Sequence, residues 1–252
     1  MNSLRALTVL TPAESKRLIA KGVAAMPEVR NALDKGRLII SNGTTNAFVA
    51  EELLGIEVPK VKFAAGIVAE GRLGVTDNDE RLPPFVTVKG KRVDTSWQEV
   101  LREFEAPDVF IKGANAVDPE GVAGVLVASP EGGTVGASLG ILGARGCHLI
   151  APVGLERLVP SVMEATRHMG IGRIHKAMGF PCGLVPLPAA QVITEVQALQ
   201  ELAEVEVWHV ASGGIAGAEG AVVLVLEGDE KEVEKAFSLI ESVKGEPPVK
   251  AS

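Results

Sequence analysis

Apolar residues between positions 11 and 55 predict a helix, a strand and a second helix, in that order. Thr11-Pro12-Ala13-Glu14 is a helix-start signature, because Thr11 can cap the first turn and Glu14 can close a capping box. Residues 37–41 are mostly apolar and predict a short strand. The helix that follows is expected to stop at Gly55.

The middle of the chain predicts first β-structure and then alternating elements. Residues 56–93 have the pattern of a β-rich insertion with a hairpin turn at 89–91, and Ser96 and Glu99 predict a capping box at the next helix. Strands and helices then alternate, and 122–128 is apolar throughout, as a strand covered on both faces would be. This alternation predicts a parallel sheet.

After Pro188 the pattern changes to a helix at 192–203, strands at 205–210 and 221–226, and an amphipathic helix at 229–244. We therefore predict an α/β fold of two parts. Residues 1–188 form a Rossmann-like domain with a mostly parallel sheet and the β-rich insertion near 56–93. Residues 189–252 form a small C-terminal α+β, ferredoxin-like subdomain.

Composition narrows the class of protein. The 252 residues carry a formal charge of −7, which argues against nucleic acid as the main partner. Only Cys147 and Cys182 are present, so a disulfide scaffold is excluded. No apolar run reaches the roughly 18–20 residues of a membrane span, and the apolar stretch at the N-terminus is too short for a signal peptide. We expect a cytoplasmic protein with no membrane partner.

The first candidate site is the loop between the strand at 37–41 and the helix after it. It contains Asn42, Gly43, Thr44 and Thr45. Helix N-termini present free N–H groups that bind anions, the threonines add hydroxyl donors, and glycine allows close approach. The alternative is an ordinary strand-to-helix turn with Thr44 as its cap.

A second candidate loop contains Glu131, Gly132, Gly133 and Thr134. If this loop and the first follow neighbouring strands, both will line one crevice at the carboxyl ends of those strands. Glu131 would then be a general base or a carboxylate nucleophile. The alternative is a solvated acid on a turn.

A third candidate site follows the strand that ends near residue 111. Lys112 can neutralise a phosphate or carboxylate, Asn115 can hydrogen-bond to a hydroxyl, and Asp118 follows closely. The alternative is a solvated lysine and a turn asparagine.

We predict no metal and no cofactor. His168, His175 and Cys182 are spaced by seven residues, which matches no familiar metal-ligand pattern. The chain also has no Gly-x-Ser-x-Gly nucleophile elbow, no Walker loop and no dinucleotide-binding Gly-x-Gly-x-x-Gly after a strand.

Three segments resemble a known superfamily. Residues 38–48 read LIISNGTTNAF, residues 108–118 read DVFIKGANAVD, and residues 131–134 read EGGT. They resemble the phosphate loop, the Asp-Gly-Ala-Asp-Glu-Val-Asp strand end and the glycine-rich catalytic loop of type A ribose-5-phosphate isomerases. Those enzymes share a fold with glucosamine-6-phosphate deaminases and CoA transferases.

The resemblance implies the fold and an anion crevice, but it argues against the isomerase reaction. Lys112 and Asn115 stand where that pattern has aspartates, and the lysine of the glycine-rich loop is missing. The isomerase pattern also has a glutamate in the helix after this loop, where this chain has Ala137, Ser138 and Leu139. The chain is best described as a divergent member of the superfamily.

The resulting functional hypothesis is binding of a small anionic metabolite, such as a sugar phosphate, a nucleotide or a CoA derivative. If isomerase or transferase chemistry accompanies binding, Glu131 and Lys112 are the catalytic candidates. One alternative is a non-enzymatic metabolite sensor or regulatory subunit. Another is a structural homo-oligomer held by the glycine-rich helix and by residues 211–220.

Overall fold

The computed structural model describes residues 3–249, which form a mixed α/β fold with eight α-helices. The helices are α1 (Pro12–Ala25), α2 (Pro27–Lys35), α3 (Thr44–Leu54), α4 (Trp97–Arg102), α5 (Gly133–Arg145), α6 (Val162–His168), α7 (Glu195–Leu202) and α8 (Glu230–Ser242). None of these helices is long and apolar enough to cross a membrane.

The strands belong to three sheets and one isolated hairpin. They are β1 (Ser3–Leu10), β2 (Arg37–Ile40), β3 (Gly66–Ala69), β4 (Arg72–Val75), β5 (Phe85–Val88), β6 (Lys91–Arg92), β7 (Val109–Ile111), β8 (Ala116–Val117), β9 (Ala123–Val127), β10 (His148–Pro152), β11 (Gly183–Leu187), β12 (Gln191–Ile193), β13 (Glu206–Ser212) and β14 (Val222–Asp229).

The largest sheet has six strands in the order β12-β10-β7-β2-β5-β6. The first four are parallel to one another, and β5 and β6 are antiparallel additions from the insertion. The sheet is therefore mixed and only partly parallel. The expected hairpin turn is confirmed, since Lys89 and Gly90 join β5 to β6 with positive φ angles.

Side chains of this sheet alternate between two apolar layers. Ile40 and Ile111 pack on one face with helices α1, α3 and α7, whereas Ile39 and Phe110 pack on the other face with α4 and α5. All four side chains are fully buried. Helices thus cover both faces and leave the strand ends as the accessible edges of the sheet.

Strand β9 lies within the apolar segment 122–128 and belongs to a separate antiparallel sheet, in the order β11-β9-β8. The expectation that this segment joins the parallel sheet is wrong. Its coverage on both faces is confirmed, because Val125 packs in the core shared with the main sheet and Leu126 packs against a second cluster around Val162.

The third sheet is antiparallel, in the order β1-β14-β13, and its inner face packs on the same core as α1, α7 and α8. The small unit at the end of the chain therefore takes one strand from the N-terminal segment. The predicted helix at 192–203 is partly wrong, because its first residues form β12 of the main sheet and α7 begins only after the Thr194 cap.

The helix-start signals have different outcomes. The capping box of Thr11 and Glu14 is confirmed, and Gly55 ends α3 in the left-handed conformation as expected. The capping box expected at Ser96 is wrong. The Ser96 hydroxyl makes no cap bond and instead donates to the side chain of Gln98 at 2.7 Å.

Candidate functional site

The candidate site lies where the four parallel strands of the main sheet end. Backbone hydrogen bonds continue across the strands at this edge. They run from Ser41 N–H to Ile111 O (3.0 Å), from Lys112 N–H to Ile150 O (2.9 Å) and from Val153 N–H to Ile193 O (3.0 Å). The segments that leave β2, β7, β10 and β12 therefore start side by side, where parallel sheets bind ligands.

The loop after β2 is fixed by its own polar groups. The Asn42 side chain donates to the carbonyls of Phe63 (3.2 Å) and Leu82 (2.8 Å), and the Gly43 N–H also donates to Phe63 (2.9 Å). Gly43, rather than Thr44, is the N-cap of α3, and no side chain caps the helix. The first N–H groups of α3, at the half-buried Thr44 and the buried Thr45, therefore have no side-chain acceptor at the cap.

Asn46 locks this loop to the neighbouring strand. Its buried side-chain amide donates to the carbonyl of Ser41 (2.7 Å) and, more weakly, to that of Ile111 (3.3 Å). Its Oδ1 has no hydrogen-bond partner in the described part of the chain. A Cβ placed on Gly113 would lie 3.3 Å from that oxygen, so glycine here lets the two strand ends approach closely.

Lys112 is the least compensated charge at this edge. Its amine donates only to the carbonyl of Gly113, at 3.3 Å, and within residues 3–249 no carboxylate lies within 4.0 Å of it. By its accessible surface the residue as a whole is half-buried. Burial and, secondarily, the nearby Arg157 lower the pKa of Lys112 to about 8.

Arg157 connects Lys112 to a buried polar cluster. The Arg157 guanidinium donates to the carbonyl of Ala114 at 2.5 Å and lies 3.5 Å from the carboxylate of Glu156. The same Glu156 oxygen, Oε1, forms a 2.7 Å ion pair with Lys16. Burial lowers the pKa of Lys16, and Glu156 opposes that shift. Lys16, Glu156 and Arg157 thus alternate in sign, and Arg157 is the like-charged neighbour of Lys112.

Glu195 closes the inner end of this cluster and is fully buried. One carboxylate oxygen accepts the N–H of Leu155 at 2.9 Å, and the other has no hydrogen-bond partner within residues 3–249. Burial is the main cause of the raised pKa of Glu195. A protonated carboxyl can donate a hydrogen bond, and the unpartnered Ser15 hydroxyl is a neighbouring group of matching chemistry.

Asn115 and Asp118 are both used by the fold. The Asn115 side-chain oxygen accepts the N–H of Leu126 at 3.0 Å. The buried carboxylate of Asp118 accepts the N–H groups of Val122 (2.9 Å) and Val162 (2.8 Å), which fixes the turn before β9 and the start of α6. Both residues hold the loop that follows Lys112 in place.

The loop of Glu131 follows β9, which is not a neighbour of β2 in a sheet. The condition for the two glycine loops to line one crevice is therefore not met. Glu131 is exposed, Gly132 and Gly133 have φ angles of +77° and +57°, and Thr134 lies in the first turn of α5. A Cβ on Gly136 would lie 2.0 Å from the Glu131 carbonyl oxygen, so this loop folds tightly back on α5.

The structure gives separate surroundings to the residues considered as metal ligands. Exposed His168 lies 3.2 Å from the Glu164 carboxylate, one turn earlier in α6, and Cys182 is buried. Nowhere in the described chain do three histidine, cysteine, aspartate or glutamate side chains come together as metal ligands do.

Sequence reasoning found Lys112 but missed four charged residues around it. Glu156 and Arg157 follow β10 just as Lys112 follows β7, so the rule that placed Lys112 could have placed them. Glu195 follows β12, which was hidden inside a predicted helix. Lys16 lies in the first turns of α1, and only tertiary packing brings it to the cluster.

We compared the chain with protein-family models, curated proteins and solved structures. No family model, no curated protein and no solved structure matches the chain. The function is therefore argued from the geometry of the strand ends and from the charges collected there.

Proposed function

We propose that the carboxyl edge of the main sheet binds a small anionic metabolite that carries a phosphate group. The observation that carries this proposal is the state of Lys112. A half-buried ammonium group that has no carboxylate partner among residues 3–249, and has Arg157 as a like-charged neighbour, is destabilising in the free protein. A phosphate at this place would supply the missing negative charge.

The loop after β2 supports the same ligand class. Helix α3 has eleven residues, and its uncapped N-terminus starts at the same edge as Lys112. Free N–H groups and the partial positive charge of a helix N-terminus both favour an anion. The hydroxyl of Thr44, which is half-buried, is a further donor.

The resemblance to sugar-phosphate isomerases is consistent with a phosphate ester, and the departures from that pattern limit the proposal to binding. Lys112 and Asn115 occupy the positions of two acids, and Glu131 lies after a strand of another sheet. A role as a metabolite sensor therefore fits these residues better than isomerisation of ribose 5-phosphate.

Isothermal titration calorimetry tests the proposal with inorganic phosphate, ribose 5-phosphate, AMP and coenzyme A at pH 7. We expect at least one of these compounds to bind, and Lys112→Met to weaken that binding by about tenfold or more. Lys176→Met is the matched control, because Lys176 is an exposed lysine outside the site. Equal binding by both variants, or no binding of any compound, would contradict the proposal.

A further inference from the structure

The outer face of the three-stranded sheet is apolar and uncovered in the single chain. Cross-strand partners place Leu7, Val225 and Trp208 in one row, and Val9, Val223 and Ala211 in the next. Leu7 is 65% exposed, Trp208 55% and Val9 45%. An antiparallel sheet that faces water normally carries polar side chains on its outer face, so this face has the composition of a covered one.

The opposite face of the same sheet is already occupied. Leu10, Leu224 and Leu226 point inward and are fully buried in the core with α8. Strand β14 is apolar on both faces from Val222 to Leu226, as expected of a strand that lies between two layers. One of those layers is the core of this chain, and no residue between 3 and 249 supplies the second, since Leu7, Val9 and Trp208 are exposed.

A row of charges borders the apolar rows and indicates which molecule covers the face. In this row the cross-strand neighbour of Arg5 is Glu227, and the cross-strand neighbour of Glu227 on the other side is Glu206. The Arg5 guanidinium lies 3.1 Å from the Glu227 carboxylate, and 72% of its side chain is exposed. Glu206 forms no ion pair with any residue the structure describes. Positive charge thus lies at the β1 side and uncompensated negative charge at the β13 side.

We propose that a second copy of this chain covers the face, with the two sheets packed face to face about a two-fold axis that runs along β14. This axis places β1 of one copy over β13 of the other. Arg5 then meets the partner's Glu206, and Leu7 meets the partner's Trp208, each contact occurring twice. An axis across the strands would instead place β1 over the partner's β1, which keeps Arg5 away from the partner's Glu206.

The size of the face sets the strength of the dimer. Eight residues of strand and three strands span about 26 Å by 14 Å, or roughly 400 Å² per copy. A standard interface buries about 800 Å² per partner, so this face is about half that size and we expect a weak dimer that dissociates on dilution. Two-layer packing of this kind has a sheet separation of about 10 Å, which the leucine and tryptophan side chains can fill.

Sedimentation velocity from about 5 µM to about 500 µM tests the assembly. We expect a concentration-dependent dimer in the wild type and a dissociation constant raised roughly thirtyfold or more in Trp208→Lys, as for a tryptophan that is an interface hot spot. Val68→Lys is the matched control, because Val68 is 68% exposed on the β3–β4 hairpin. A monomeric wild type, or a dimer unaffected by Trp208→Lys, would overturn the proposal.

Charge exchange tests the direction of the two-fold axis. Glu206→Arg would bring two arginines together across the interface and weaken the dimer. Within each copy, Glu227 would still have its ion pair with Arg5. The double variant Arg5→Glu/Glu206→Arg should recover the wild-type dissociation constant. Failure of the double variant to recover the dimer would overturn this arrangement of the two copies.

The fluorescence of Trp208 gives an independent readout. The chain has two tryptophans, so Trp97→Phe leaves Trp208 as the only indole. We expect its emission to shift to shorter wavelength as dimer forms, because the indole leaves water. A spectrum that stays constant across the dimerisation range would place the contact elsewhere and overturn the proposal.

Discussion

Replacing Lys112 by methionine should make the free protein more stable while it weakens anion binding. Methionine keeps an unbranched side chain of similar length and removes the charge. The pKa of Lys112 is lowered from 10.5 to about 8, so the folded state disfavours the ammonium form. Below pH 8 the folded protein holds this unfavourable charge, and the variant does not.

The magnitude follows from the shift in pKa. A lowering from 10.5 to about 8 corresponds to about 3 kcal/mol of lost folding free energy at pH 7. Because part of the residue is exposed, solvent screening reduces this value, and we expect Lys112→Met to stabilise by about 1–3 kcal/mol. As pH rises from 8 to 10.5 the unfolded chain loses the extra proton, so the wild type recovers this stability.

Urea unfolding at pH 7 and pH 9.5 measures both effects. The stability difference between Lys112→Met and the wild type should fall by more than about half between these pH values. Lys176→Met should show no comparable difference at either pH, because Lys176 is exposed. A variant that is less stable than the wild type at pH 7 would refute the reasoning about an uncompensated charge.

Further predictions concern packing and titration. Gly136→Ala should destabilise by more than about 2 kcal/mol, since its Cβ would lie 2.0 Å from the Glu131 carbonyl, whereas Gly140→Ala in open space should stabilise by about 0.5–1 kcal/mol. Urea unfolding compares the two, and equal effects would contradict the contact. Glu195→Gln should raise the thermal midpoint of unfolding at pH 7 but not at pH 4. Burial raises the pKa of Glu195, so its charged form destabilises the folded state only above about pH 4.5, where the unfolded chain is ionised. The same shift of the midpoint at both pH values would count against a charge effect. Phosphate affinity measured by calorimetry should fall between pH 7.5 and pH 9.5 as Lys112 loses its proton, and constant affinity would argue against direct contact.

Local signals in the sequence predicted individual elements well. Thr11 and Glu14 form the expected capping box, and Gly55 ends its helix as expected, because these devices involve neighbours in the sequence. Strand partners were less predictable. The segment around Val125 has the composition of a buried strand in either kind of sheet, so its pattern could not show that it pairs antiparallel with β11.

The candidate site was predicted only in part, because some of its residues follow a local rule and others are brought together by tertiary packing. Lys112 and the loop of Gly43 follow strands of the parallel sheet, and the rule for strand ends found both. The charges of Lys16 and Glu156 lie 2.7 Å apart although 140 residues separate them in sequence, and no local pattern contains that pairing. The glycine-rich loop led to the prediction that Glu131 lines the site. Such a loop has the same composition after a strand of any sheet, so it could not show that β9 lies outside the parallel sheet.

The pairing of β1 with β14 affects the order in which the chain can fold during translation. Ser3 pairs with Asp229, so β1 has no partner until β14 has also left the ribosome. At about 5–20 residues per second, this delay lasts about ten seconds or more. Throughout that time the apolar side chains of β1 lack the sheet in which they pack, so we expect folding during synthesis to depend on protecting this segment from aggregation.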